Sequence, residues 1–345
     1  MTVRVGLLGA AWIAADALIK PAAFLRQQNI NVEINAVACR DENRAKEYAK
    51  ANKIPRIFTS YQELVEDKDI DAIYVPLPNS LHHKWSIEAL RNGKHVLCEK
   101  PFASNAQEAA EMVEEAQKSG KFIVEAFHYR FHPAVIRLEE IVRSGTIGRL
   151  ESLDVNFSIP IFKSTDIRFN WDLAGGSLMD TGSYAVNMTR CLANAGGFVN
   201  APVVENATAT LFSEQIDKHM LANVTFKDGE NELKAKVQCS LKGYLPKIYA
   251  YAKGTEGEIY MLNFVVPHFY HKISITDKAG NKKVEKLSGA LDSFSTYAYQ
   301  LRAFVNLITT NDPSQVPYPL NDCIPNMQLI DDIYKAAGLS IRGAK

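Results

Sequence analysis

Over its first 124 residues the chain alternates short apolar runs with segments of helical spacing, and this limits the folds open to it. Residues 3–9 form an apolar run ending in glycine, and residues 13–28 have helical spacing. Residues 32–39 are strand-like, and 42–51 read as a helix with Ala45, Tyr48 and Ala49 on one side. Ala72–Val75 is a third apolar run, and residues 87–91 close a helix stopped by Asn92 and Gly93. His95–Cys98 is another strand. Residues 104–118 read as a helix with Ser104 as its expected N-cap and Gln107 in the capping-box position. Residues 122–124 are one more strand. Strands alternating with helices make βαβ units and a parallel sheet covered on both faces. Ligands of such sheets sit at the carboxyl ends of the strands. Those ends are residues 9–12, 39–41, 76–79 and 99–101.

The second half changes character. After a helix at residues 134–143 come β-like runs at 150–158, 207–212, 221–226, 234–238, 247–252, 257–262 and 272–276. Turns such as Asp228-Gly229 and Ala279-Gly280-Asn281 separate several of them, as in an antiparallel sheet. Helical spacing returns at 297–308 and 324–337. The expected class is therefore α/β, with a doubly wound first domain and a second domain built on a large, open, mainly antiparallel sheet. We set the domains at residues 1–124 and 125–345. The junction is tight, and the final helices are free to pack back on the first domain.

A length of 345 residues suits two domains. The composition, 47% hydrophobic and 23% charged, is that of a soluble globular protein. Basic and acidic residues balance at 39 each, which gives no support for nucleic acid or an anionic membrane as the main partner. Cys39, Cys98, Cys191, Cys239 and Cys323 are odd in number, widely spaced and without a CxxC. This argues against a disulfide framework or structural zinc and for reduced thiols in a cytoplasmic enzyme. No run approaches a membrane span of about 20 apolar residues. The opening apolar stretch makes a poor secretory signal, because only Arg4 precedes it and Asp16 and Lys20 interrupt it.

The loop after the first strand is a variant dinucleotide fingerprint. In GxGxxG the first glycine makes the turn, the second admits the pyrophosphate and the third packs helix on strand. Here Gly9, Ala11 and Ala14 take those places. Ala11 adds one methyl group and no charge. The amides of Ala11, Trp12 and Ile13 still point from a helix N-terminus toward a phosphate. At the end of the second strand an NAD site has an acid for the ribose 2′-hydroxyl. This chain has Cys39 followed by Arg40. Arginine suits a 2′-phosphate, so NADP is favoured over NAD. Asp41 reads as a helix N-cap.

Four segments follow in order: PLPNSLH (76–82), CEKPFA (98–103), EAFHYRFHP (125–133) and GGSLMDTGSY (175–184). Together with the opening, the chain resembles the Gfo/Idh/MocA oxidoreductase family over nearly its whole length. The resemblance implies a Rossmann domain, then an α/β domain with an open sheet whose outer face often makes oligomer contacts, and a nicotinamide cofactor. The family's lysine falls on Lys100, followed by Pro101, often cis in relatives. Its aspartate falls on Asp180. Where many relatives have histidine this chain has Tyr184, as in the branch containing glucose–fructose oxidoreductase, dimeric dihydrodiol dehydrogenase and NADP-dependent aldose 1-dehydrogenases. The resemblance also places Pro76, Leu77, Asn79, His82, Glu99 and Lys100 on the cofactor side. It puts His128 at the domain junction, and Arg168 and Trp171 within reach of the cleft.

The chemistry is coherent. Removing a hydride from an alcohol carbon needs a base for the hydroxyl proton. Tyrosine, with a pKa of about 10, is a poor base near neutrality, and a lysine ammonium beside it favours the phenolate. Tyr184 is then the proton-exchanging group and Lys100 its partner, with Asp180 orienting substrate or lysine. Taken alone, these residues also read as a surface lysine, a core aromatic and a cap. His128 and His132 lack the HExxH pattern, and no metal is expected. No GxSxG elbow supports a hydrolase. The function expected is NADP-dependent oxidation of an aldose at C1 to the lactone, or of a related cyclic diol. Three alternatives stay open: a reductase of a ketose or dicarbonyl sugar, a sugar–sugar oxidoreductase that retains NADP, and a non-catalytic NADP sensor. An open sheet needs covering, so a homodimer is expected.

Overall fold

A computed structural model describes residues 1–287 and 295–343. Strand β1 (Val3–Leu8) leads into a helix that is π-wound over Ala15–Ile19 and α-helical in α1 (Lys20–Gln27). Then come β2 (Val32–Ala38), α2 (Glu42–Asn52), β3 (Arg56–Phe58) and α3 (Tyr61–Glu66). They are followed by β4 (Ala72–Val75), α4 (His82–Arg91), β5 (His95–Cys98), α5 (Ala106–Ser119) and β6 (Ile123–Glu125). Next are α6 (Pro133–Arg143), β7 (Leu150–Pro160), α7 (Ser183–Ala195), β8 (Val203–Ser213) and β9 (Ile216–Asp228). The sheet strands end with β10 (Asn231–Ser240), β11 (Lys242–Gly254), β12 (Gly257–Leu262), β13 (Lys272–Asp277) and β14 (Lys282–Glu285). Helices α8 (Thr296–Thr310) and α9 (Cys323–Ala336) complete the order.

Among the described residues the chain forms two compact units. The first holds Met1–Phe131 and the later stretch that carries α8, as far as Ile324. Its sheet runs β3-β2-β1-β4-β5-β6 with every pair parallel. The order reverses between β1 and β4, which opens a crevice at their carboxyl ends. All four residues of β4 are buried, as a strand covered on both faces requires. Helix α8 packs against α1 and the end of β1's layer.

Two local expectations are corrected here. The helix expected unbroken over residues 13–28 takes a π turn, in which the Lys20 amide reaches back to Ala15 O. Pro21 follows and has no amide hydrogen to give to the preceding turn, so the ladder changes pitch there. Helix α5 is capped by Asn105, not Ser104. The Asn105 side chain accepts from the Glu108 amide, while the Glu108 carboxylate takes the Ser104 amide at 2.9 Å. Strand β3 and helix α3 are too short for periodicity to reveal. Ser60, accepting from the Gln62 amide, sets the start of α3.

The second unit is built on a sheet in the order β14-β13-β12-β11-β7-β10-β9-β8. Its pairs are antiparallel except β7 with β10. Alternation turns Leu153, Val155 and Phe157 of β7 and Ala235, Val237 and Cys239 of β10 inward. Helix α7 packs on both strands. The opposite face carries Asp154, Gln238, Tyr249, Tyr251 and Tyr260.

Candidate active site

In the first unit, Gly9 ends β1 with φ +84°. A Cβ there would meet Leu77 Cδ2 at 3.1 Å, so the turn needs both the left-handed backbone and the missing side chain. The Gly9 amide is bonded to Ala38 O at 2.7 Å. The next two carbonyls are tied back to α2. Arg44 Nη2 donates to Ala10 O at 2.9 Å, and Tyr48 Oη donates to Ala11 O at 3.1 Å. With those carbonyls held on one side, the helix begins with Ala14 donating to Ala11 O and Ala15 to Trp12 O. The amides of Ala11, Trp12 and Ile13 lie ahead of that first bonded turn, where an anion is favoured. Trp12 is 81% exposed.

At the end of β2, Cys39 is buried with Ala10 and Ala45, while Arg40 is exposed. Asp41 caps α2 by accepting from the Arg44 amide. Burial raises the Tyr61 pKa, and the cations of Arg40 and Arg44 oppose that rise, so both guanidinium groups act on one spot. The second arginine escaped the sequence reading. Its signal was there: it stands four residues after Arg40, one turn into a helix starting beside the fingerprint loop.

The ends of β4 and β5 carry the remaining residues expected on the cofactor side. Pro76 is half-buried, Leu77 packs at Gly9, and Asn79 opens a 3-10 turn into α4. His82 is fully buried, with a ring nitrogen 2.8 Å from Leu77 O and the other 2.8 Å from Pro101 O. Glu99 is buried and accepts from Tyr74 Oη at 2.6 Å and from the Lys100 amide at 3.3 Å. Lys100 follows, half-buried, and its peptide bond to Pro101 is cis. The adjacent Cys98 thiol is pushed well up by burial and is no nucleophile. His128 is buried, with Nδ1 2.8 Å from Thr296 Oγ1 and its ring 4.0 Å from that of Tyr297.

The second unit supplies the other set. A π turn, Leu178–Gly182, carries Asp180 into α7, where Tyr184 is the second residue. The Tyr184 ring is buried edge-on to Phe157 at 5.3 Å. Arg168 Nε donates to Asp180 Oδ2 at 2.7 Å, and its Nη1 donates to Asp166 Oδ1 at 3.1 Å. The two carboxylates, Asp180 foremost, raise the Arg168 pKa further above its ordinary value. Trp171 lies over the Arg342 guanidinium at 4.6 Å.

The glycine pair before this segment has a structural cause that sequence alone did not reveal. Gly176 has φ +131°, and a Cβ there would collide with Asp217 Oδ1 and stand 2.7 Å from Tyr334 Oη. Asp217 is fully buried. It accepts from Ser177 Oγ and the Leu178 amide at 2.7 Å, from Tyr334 Oη at 2.9 Å and from Arg342 Nη2 at 3.0 Å. Arg342, itself fully buried, also donates to Gly175 O at 2.7 Å. One carboxylate thus holds the start of the turn that carries Asp180 and Tyr184.

Among the described residues no cluster of His, Cys, Asp and Glu is disposed to hold a metal ion, and no helix is long and apolar enough to cross a membrane. The first-unit residues fit a dinucleotide. The tight Gly9 turn, the loop carbonyls held away by Arg44 and Tyr48, and the two arginines at the β2 end suit a pyrophosphate and a further phosphate.

Comparison with known proteins agrees with this geometry. Residues 3–127 match the model for the oxidoreductase family with an NAD-binding Rossmann fold, and residues 135–260 match the GFO/IDH/MocA C-terminal domain. The chain is 33% identical over 334 residues to D-xylose 1-dehydrogenase (NADP(+)) 2 of Haloferax volcanii, covering 96% of each chain. It is 32% identical over 260 residues to trans-1,2-dihydrobenzene-1,2-diol dehydrogenase of Mus musculus, covering 74% of each. Among solved structures, the 3-ketoreductase KijD10 from Actinomadura kijaniata, in complex with NADP and TDP-benzene, superposes with a TM-score of 0.83 at 26% identity. That match covers 97% of this chain and 98% of the other. With both family domains matched in order, the chain belongs to the Gfo/Idh/MocA oxidoreductases.

Proposed function

We propose that this protein is an NADP-dependent oxidoreductase that moves a hydride between the nicotinamide and an uncharged sugar or cyclic polyol, with aldose oxidation at C1 to the lactone as the first reading. The observation that carries the substrate class is Arg168. Its guanidinium is bound to Asp166 and Asp180, so its charge is already compensated and offers little to a phosphate or carboxylate. The flanking carboxylates instead suit sugar hydroxyl donors. The relatives support this reading: one is named an NADP(+) xylose dehydrogenase and one a dihydrodiol dehydrogenase. The arginines at the β2 end support NADP over NAD.

When bound, the nicotinamide accepts or gives the hydride. In the proposed reaction Tyr184 takes the proton of the C1 hydroxyl as that carbon loses hydride. Lys100 holds the same oxygen and favours the phenolate. Asp180, fixed by Arg168, orients the sugar. In the reducing direction Tyr184 returns the proton to the carbonyl oxygen. The similarity to a 3-ketoreductase gives the reducing direction weight as a second reading.

The test is nicotinamide absorbance with NADP and NAD across aldoses, aldose phosphates, inositols and cyclic diols, and with NADPH on keto sugars. Turnover with NADP and neutral aldoses supports the proposal. Turnover confined to ketone reduction moves it to the second reading. NADP binding without turnover in either direction, on a dialysed sample free of nicotinamide, supports a sensor. Preference for aldose phosphates would overturn the substrate class.

A further inference from the structure

His82 is the first residue of α4 and has no exposed surface. Its Nδ1 lies 2.8 Å from Pro101 O and its Nε2 2.8 Å from Leu77 O. Both partners are carbonyl oxygens, which only accept. A neutral imidazole has one N–H and satisfies one of them; the imidazolium satisfies both. The two carbonyls belong to different loops. Leu77 is on the loop after β4 and packs at Gly9 in the fingerprint turn. Pro101 is on the loop after β5 and directly follows Lys100. One side chain thus lies between the two crevice loops of the first unit, with a ring nitrogen against a carbonyl of each.

We propose that His82 is a positioning residue: it fixes the Lys100–Pro101 segment against the cofactor-side loop and so presents the Lys100 ammonium in one geometry, without itself touching cofactor or substrate. The inference rests on the reading of Lys100 as the partner of the reacting oxygen. A hydroxyl has one proton to give, and both donors of an amide sit on a single nitrogen. The imidazole ring places its two nitrogens on opposite sides, one toward each loop. Burial, with the Lys100 cation, lowers the His82 pKa, and the two backbone carbonyls oppose that shift. The neighbouring His83 is no substitute, because it turns out to Glu111 at 2.8 Å.

The experiment compares His82→Gln and His82→Phe with the parent for NADP Kd by fluorescence titration, and for kcat and KM with the substrate identified above. The Gln amide can still donate to one carbonyl, whereas Phe donates to neither. Kd within about threefold of the parent, and kcat lowered roughly 10- to 100-fold in Phe and less in Gln, would bear out positioning. Kcat within twofold of the parent in the Phe variant would overturn the inference. So would kcat and Kd shifting in parallel with no advantage for Gln, since that is a structural role only. If the Phe variant does not fold, the Gln variant decides by the same split between kcat and Kd. Lys100→Met is measured alongside. Parental turnover in that variant would sink the Lys100 reading. Loss of turnover there, with intact His82 variants, would sink the His82 inference alone.

Discussion

Arg40 and Arg44 stand four residues apart, one before the cap of α2 and one in its first turn, and do different things. Arg40 is exposed beside the β2 end, while Arg44 reaches the Ala10 carbonyl. Arg40→Ala should weaken NADP about tenfold or more while leaving NAD little changed, because it removes one charge-assisted contact to the extra phosphate. Arg44→Ala also frees the loop carbonyl and should therefore weaken both dinucleotides. Titration of the two variants with NADP and NAD tests this, and equal losses for both cofactors in Arg40→Ala would refute the phosphate role. At Tyr184, replacement by Phe removes one oxygen and keeps the packing on Phe157. Turnover should fall by roughly 10²- to 10⁴-fold with NADP binding retained. Steady-state kinetics with a binding titration decides it, and unchanged turnover would remove Tyr184 from the chemistry.

The π turn over Leu178–Gly182, held by the buried Asp217, carries Asp180 and leads into α7 with Tyr184. A wide turn at the entrance to α7 is a strained piece of helix, and such turns occur often at functional sites. Here the surrounding structure holds it through Gly176, Asp217, Tyr334 and Arg342. Asp217→Asn leaves a buried guanidinium without its counter-charge and should destabilise the protein by about 3–5 kcal/mol. Gly176→Ala should destabilise by about 3 kcal/mol or more, since it adds overlap to an unfavourable φ. Urea unfolding of both variants measures this. Near-parental midpoints would show that the network is slack.

Two properties belong to the whole molecule. On the sheet face away from α7, Tyr249 donates to Asp154 at 3.2 Å and stacks on Tyr260 at 5.6 Å, and Tyr251 donates to Glu258 at 2.6 Å. Burial foremost, with Asp154 and Glu258 respectively, pushes the Tyr249 and Tyr251 pKa values up to about 12, so both remain donors. An ordered, tyrosine-rich face suits association. We expect a homodimer through this face, to be checked by light scattering, with Tyr249→Glu/Tyr251→Glu monomeric. A monomeric parent would refute this. The second property is acid stability. His95 accepts the Phe122 amide at Nδ1, and its pKa is lowered to about 4 by burial and by Lys121. The unfolded chain, with His near 6.5, binds the proton more readily. The contribution of His95 to stability is therefore full above about pH 6.5 and is lost as pH falls toward 4. The difference in melting temperature between parent and His95→Gln should change across that window. Parallel curves would exclude the histidine.

The strand–helix alternation of residues 3–124, the glycine-bounded turn and the change to antiparallel patterning were legible because each is a local periodicity or turn requirement. So were Asp41 as a cap and the order of motifs around Lys100, Asp180 and Tyr184. The rest depends on partners far apart in the chain. Asp217 meets Arg342 across more than a hundred residues, Arg44 turns to Ala10, and His82 bridges Leu77 and Pro101. No spacing rule along the sequence encodes such pairs, because the desolvation that makes each one necessary exists only once the sheets have closed over it. The sequence by itself determined the strand–helix alternation, the later antiparallel run and the residue types at their ends, but not pieces as short as β3 and α3. The tertiary structure alone decided which of those side chains hold a loop and which remain for a ligand.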